Sequence, residues 1–339
     1  MQAQAVFPDA ARKAGMYESF YLRAVAPGEP VGVWVRYTVH KRAEEAPRGS
    51  VWCTVFDARG GRPWMHKLTT EELSAPGGDA GIAIGGCRLG DGFAQGECGG
   101  ARWSLRMQAR EPELRHLPSA WMYRARLPRT KLTSPSPSAR FDGTFALPDG
   151  RDLQLEGWRG MVGHNWGAEH AERWIWLHGV GFEEEEEEEG AWLDVALGRI
   201  RVAGRLTPWV AGRLTPWVAN GAVGIAGERY RIGGLGARGL RVRESAQGCE
   251  LSMPGPKGLR VDARVTVPAE SGAGWRYADP DGGEHEVANC SVAGVELELR
   301  LPGAGGIARG LRSAHGGAYE LGMRAGEAHG VPLAPFADG

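Results

Sequence analysis

Residues 31–40, VGVWVRYTVH, put Val31, Val33, Val35, Tyr37 and Val39 on one face of an extended chain. That two-residue period predicts a strand with one face buried. Shorter runs of the same kind stand at residues 51–56, 82–89, 101–109, 121–127, 140–147 and 153–158. The second half continues with 174–180, 191–200, 230–235, 240–244, 249–253, 260–267, 292–301 and 318–323. Turn clusters such as Pro148-Asp149-Gly150 separate many of them, and 53 glycines and 21 prolines leave no room for a long amphipathic helix. The expected fold class is therefore all-β, built from antiparallel sandwiches or barrels. Residues 69–73, behind a threonine cap, and 169–173 are the candidate helical turns.

A chain of 339 residues exceeds what one hydrophobic core usually organises, so two domains are expected. A boundary near residues 167–171 divides the chain into 1–168 and 169–339. The polar, proline-rich run TSPSPS at 133–138 reads as a surface loop. The octapeptide AGRLTPWV at 203–210 recurs at once at 211–218, too short and isolated for a solenoid. Seven consecutive glutamates at 183–189 repel one another and belong in a solvated hairpin loop.

A formal net charge of −1 gives no electrostatic basis for binding nucleic acid. No apolar run reaches the length of a membrane span, and the N-terminus has neither the basic nor the apolar region of a signal peptide. Five scattered cysteines, with no C-x-x-C pair, indicate neither a disulfide framework nor a zinc site. A cytoplasmic protein with reduced thiols is expected.

The segment richest in chemistry runs from GWRGMVGHNWG at 157–167 to RWIWLH at 173–178. It holds four of 13 tryptophans and three of nine histidines. On an extended chain His164 and Trp166 share a face, with Asn165 opposite. An imidazole beside an indole can move a proton while the ring face stabilises a developing cation. Asp194 alternates with Trp192; a carboxyl group buried among tryptophans is expected to have a raised pKa and to act as an acid or orient a histidine. The spacing of His164, His170 and His178 matches no helical or turn-based metal site, so no metal is expected. Residues 277–285, YADPDGGEH, read as a turn between strands. No nucleophile elbow or Walker loop is present. Two readings stand: the tryptophans form a glycine-rich core crossing, or they wall a ligand cavity.

The HNWG run at 164–167, followed by RWIW at 173–176, resembles the lipocalin-like superfamily of tocopherol cyclases and carotenoid 1,2-hydratases. Some Diels–Alder cyclases share that two-barrel architecture. His-x-Trp with a downstream aromatic-x-Asp is similar to the hydratases, and here falls on His164, Trp166, Trp192 and Asp194. Trp192 stands where that pattern has a tyrosine, and an indole cannot ionise. The resemblance implies two lipocalin-like β domains with a ligand cavity near their junction. It implies acid catalysis by Asp194, or by His164 paired with it, with Trp166 and Trp174 shielding the cation, on an isoprenoid or other apolar polyene or quinol. Asn165, Trp174, Trp176, Trp192 and His178 would line the cavity, and the chemistry requires no cofactor. The partner is then a hydrophobic small molecule, with peripheral membrane contact compatible with such a ligand. A non-catalytic carrier of a similar molecule is the alternative.

Overall fold

The computed structural model describes residues 4–77, 80–183, 190–199, 215–234, 237–303, 308–327 and 329–336. Residues 184–189 of the glutamate run and 203–214 of the duplicated octapeptide lie outside the described residues. The fold is all-β: two antiparallel sheets, one nearly closed into a barrel, with no helix of seven residues or more among the described residues. Among the described residues no helix is long and apolar enough to cross a membrane.

The two sheets share one plan. In the first, of 12 strands, Met16–Val25 pairs on one side with Val31–Lys41 and on the other with the last strand, Asp152–Gly167. In the second, of 10 strands, Arg173–Gly179 pairs with Trp192–Arg199 and with the last strand, Ala308–Arg324. In each sheet the opening strand thus pairs with the final one in the middle of the strand order, and the edges are Trp64–Thr70 and Leu73–Ser74 in the first and Glu228–Gly233 and Arg241–Ser245 in the second. Residues 168–172 connect Gly167 to Arg173.

The strand Val31–Lys41 departs from the one-sided burial its alternation predicts, because every one of its residues is buried, as in Met16–Val25. Val33, Val35, Tyr37 and Val39 pack in the first sheet's own core with Cys53 and Phe141. Trp34 belongs instead to the second core, with Trp52, Trp275 and Tyr277. Trp52 meets Trp275 edge-on at 5.0 Å, and Arg36 lies 3.9 Å above the Tyr277 ring. Such aromatic pairs add about 0.5–1.5 kcal/mol each beyond the area they bury. The face opposite the valines is therefore the face that packs on the second sheet.

Three other expectations are corrected. Residues 121–127 form no strand: Ala120–Tyr123 is a 3-10 turn, followed by turn and bend. Neither 69–73 nor 169–173 is helical. Thr69 lies in the strand Trp64–Thr70, and the Thr70 hydroxyl accepts a hydrogen bond from Glu72 N, a tight turn instead of a helix cap. The TSPSPS run is not a surface loop but part of the long strand Thr130–Ala146, with Thr133, Ser134, Ser136 and Pro137 buried. Its register slips between Thr133 and Ser136 and again between Ser136 and Ala139. A proline has no N–H for the ladder, so bulges at these positions accommodate both rings. All five cysteines are free and buried.

Candidate functional site

The second sheet turns Trp174, Trp176 and His178 toward the first from alternate positions of one strand. Its neighbour places Asp194 directly opposite His178. Asp194 is fully buried. Trp176 Nε1–H donates to Oδ1 at 3.1 Å. The Ser134 hydroxyl, from the bulged strand of the first sheet, donates to Oδ2. His116 Nε2 lies 3.4 Å from the same oxygen and 3.1 Å from Ser134 Oγ.

Hydrogen-bond accounting assigns the protons of this chain. His116 Nδ1 must donate to the Asn220 carbonyl, 3.1 Å away, because a carbonyl only accepts. Ser134 donates to Asp194 and its oxygen faces His116 Nε2, so one hydroxyl bridges imidazole and carboxylate. A proton on Nε2 passing through Ser134 leaves a carboxylic acid at Asp194. Either state leaves no donor or acceptor of the chain unmatched. The second sheet also positions His116 through its backbone: Arg231 donates to the carbonyls of Arg115 and His116 at 3.2 and 3.0 Å.

The raised pKa expected for Asp194 is overturned. Desolvation does push it upward, but the charge and hydrogen bond of His116 and the Ser134 hydroxyl outweigh burial and hold it below the ordinary carboxylate value. His178 moves in the opposite sense to a charged histidine. Burial, helped by the neighbouring Arg23, lowers its pKa from 6.5 to about 4. Arg23 Nη1–H donates to Nδ1 at 2.8 Å, so the neutral ring keeps its proton on Nε2 and donates it to the Pro137 carbonyl at 2.9 Å. Arg23 also donates to the Ser291 and Gly316 carbonyls, both at 3.0 Å.

His164 is not brought to Asp194. It stacks between Phe20 at 4.0 Å and Trp166 at 4.5 Å, on the face of the first sheet that lines its own core. Its Nε2 meets Glu18 Oε1 at 2.7 Å, and Glu18 also accepts from the backbone N–H groups of Val6 and Phe7. Asn165 projects from the other face of that strand, and its Oδ1 is buried without a partner. Trp174 Nε1–H donates to Glu320 at 2.9 Å. The structure therefore gathers Asp194, Trp176 and His178 between the sheets and leaves His164 and Trp166 inside the first. Sequence reasoning missed Ser134, His116 and Arg23, whose spacing from their partners carries no local signal.

A cavity of about 320 Å³ opens beside this network, walled by Trp192, Val180 and Ile225 of the second sheet and by Ala139 and Arg159 of the first. Trp192 projects on the same side of its strand as Asp194, two residues away, and Arg229 lies 5.2 Å over its ring. The volume falls within the range of small-molecule pockets.

Three solved structures are similar to this chain in fold: a protein described as AttH from Nitrosomonas europaea (TM-score 0.54, 13% identity), CghA (0.58, 13%) and kievitone hydratase from Nectria haematococca (0.52, 10%). They cover 94%, 93% and 92% of this chain, and 97%, 90% and 89% of their own. The chain has their lipocalin-like two-barrel fold. Among curated sequences, an uncharacterized protein found in two strains of Mycobacterium tuberculosis is 26% identical over 297 residues, 84% of this chain and 82% of its own. No family model matches. Within this two-barrel fold, Asp194 and its partners lie where the barrels meet, so both barrels contribute to one network.

Proposed function

We propose that this protein is a hydratase- or cyclase-type enzyme acting by acid catalysis on an apolar, unsaturated small molecule held between the two barrels. The observation that carries it is the fully buried Asp194 carboxyl, joined through Ser134 to His116 in a hydrogen-bonded chain along which a proton can pass. Delivered from Asp194 to an alkene carbon, that proton leaves a cation, which the faces of Trp176 and Trp192 stabilise. Water or an internal hydroxyl of the substrate then bonds to the cation. Its surplus proton returns to the carboxylate, so hydration adds one water and cyclisation adds nothing. The substrate class in this reading is an isoprenoid, polyene or quinol, with Trp192 on the wall of the cavity beside Asp194. Kievitone hydratase and CghA share the fold, which is support by analogy alone.

The test is Asp194→Asn, which keeps the shape and the bond from Trp176 but cannot relay a proton. Turnover of a hydratable prenylated substrate should fall by at least about a hundredfold, the usual scale for losing a general acid. Quenching of tryptophan fluorescence by the same compound should be retained. Unchanged turnover would remove Asp194 as the acid. The lowered pKa of Asp194 favours a second reading, a carrier of the same kind of molecule, since an ionised carboxylate holds no proton to give. Quenching without product in the unmodified protein would select it.

A further inference from the structure

The connector between the barrels carries a histidine that the network above does not use. His170 stacks under Tyr17 of the first barrel at 3.9 Å. Its Nδ1 lies 2.7 Å from Asp279 Oδ1, which also accepts from the His170 backbone N–H at 2.8 Å. Asp279 follows the strand Ala273–Ala278, and the next strand, Glu284–Arg300, brings in His285, whose Nδ1 is 3.7 Å from Asp279 Oδ2. One donor atom from each of the three residues falls within 4.8 Å of the others.

Unmet valence distinguishes this cluster from a satisfied polar core. His285 is fully buried, yet neither of its ring nitrogens has a hydrogen-bond partner. Asp279 Oδ2 and His170 Nε2 are buried without partners as well. Buried polar atoms are normally paired, and a cluster of orphans on ligand-type side chains marks a missing electrophile. Local charge permits a cation. The Arg324 guanidinium is engaged by both oxygens of Glu172 at 2.9 Å, and Asp279 is left to balance an incoming ion. Tyr17, Trp174 and Tyr277 wall the site, the ring of Trp174 lying 5.2 Å from that of His285.

We infer that His170, Asp279 and His285 form a binding site for a divalent first-row transition ion of the Zn²⁺ type. Two imidazoles and one carboxylate are the donors such an ion takes, and three protein ligands leave a position open to water. The ion would fasten the inter-barrel connector to a hairpin of the second barrel, a function separate from proton transfer at Asp194.

The protein, stripped with chelator and dialysed, is titrated with Zn²⁺ and separately with Co²⁺. One equivalent of Zn²⁺ should bind per chain and raise the melting temperature. Co²⁺ should give visible absorption bands of a low-coordinate nitrogen–oxygen site, absent from the stripped protein. Asp279→Asn and His170→Gln should each lose the stoichiometric uptake and the melting shift. If folded wild-type protein takes up no equivalent of either ion, or if both variants bind as it does, the site does not exist. Because the wild-type titration needs no variant, it remains decisive even if either substitution misfolds. Failure here says nothing of turnover by Asp194, and failure there says nothing of uptake.

Discussion

At the scale of single residues, the interface between the barrels is held by groups whose protonation is fixed by their partners. His178 is the clearest. Arg23 donates to one ring nitrogen and the Pro137 carbonyl accepts from the other, so a second proton has no acceptor and would face the Arg23 charge. Its folded pKa, about 4 against an ordinary 6.5, reflects burial first and Arg23 second, with Asp194 opposing them. Between those values the unfolded chain binds a proton that the folded chain refuses. Stability is therefore complete above about pH 6.5 and falls as pH drops toward 4, by up to about 1.4 kcal/mol per pH unit from this group. Asp194, with its lowered pKa, acts below that window. His178→Gln preserves one acceptor and one donor but cannot titrate. Urea unfolding at pH 7 and pH 5 should show a smaller difference for the variant than for the parent. An equal difference would mean that His178 is not the group responsible.

Strands show which parts of this arrangement a sequence displays. Alternation identified the strand Val31–Lys41 and its core-facing valines, because the two-residue period is local. It did not show that Trp34 and Arg36 are also buried, since the sheet that covers them comes from the other half of the chain. TSPSPS read as a loop for a similar reason. Its composition signals an interrupted ladder, and the ladder is interrupted, but both bulges are buried against the second barrel and supply Ser134 and the Pro137 carbonyl. Asp194, Trp176 and His178 were visible as aromatic-rich alternation. Their partners Ser134 and Arg23 lie 60 and 155 residues away and have no motif. The pairing of His164 with Asp194 failed on facing: one lies on the core side of its sheet and the other between sheets. The strand Asp152–Gly167 also has a steric requirement. A Cβ at Gly160 would stand 1.8 Å from the Arg23 carbonyl oxygen, which is backbone and cannot swing aside. Gly160→Ala should push the first barrel's opening and closing strands apart at the residue that holds His178. A loss of about 1–3 kcal/mol is expected, read as a lower denaturation midpoint. A neutral effect would mean that the strands have slack there.

For the whole molecule, the question is whether two barrels with one plan are two folding units. Their sheets are separate in sequence, yet the contacts between them are not those of a hinge. Arg23 of the first barrel is fully buried by the second, and burial lowers its pKa to about 9. In return, Arg229 of the second barrel grips the first through the carbonyls of Pro112 and Glu113 and the carboxylate of Glu111. Trp34 and Trp52 fill the second core from outside. Removing residues 169–339 would expose Tyr17, Tyr21, Trp34 and Trp52 on one contiguous face, a patch that soluble monomers rarely carry. It would also free Ser134 and His116 from Asp194. Residues 1–168 expressed alone should therefore aggregate or melt without a cooperative transition, whereas the intact chain should unfold in a single step. Size-exclusion chromatography and thermal circular dichroism of both chains decide the matter. A monomeric, sharply melting fragment would show that the first barrel folds unaided and that the interface serves the site rather than the fold.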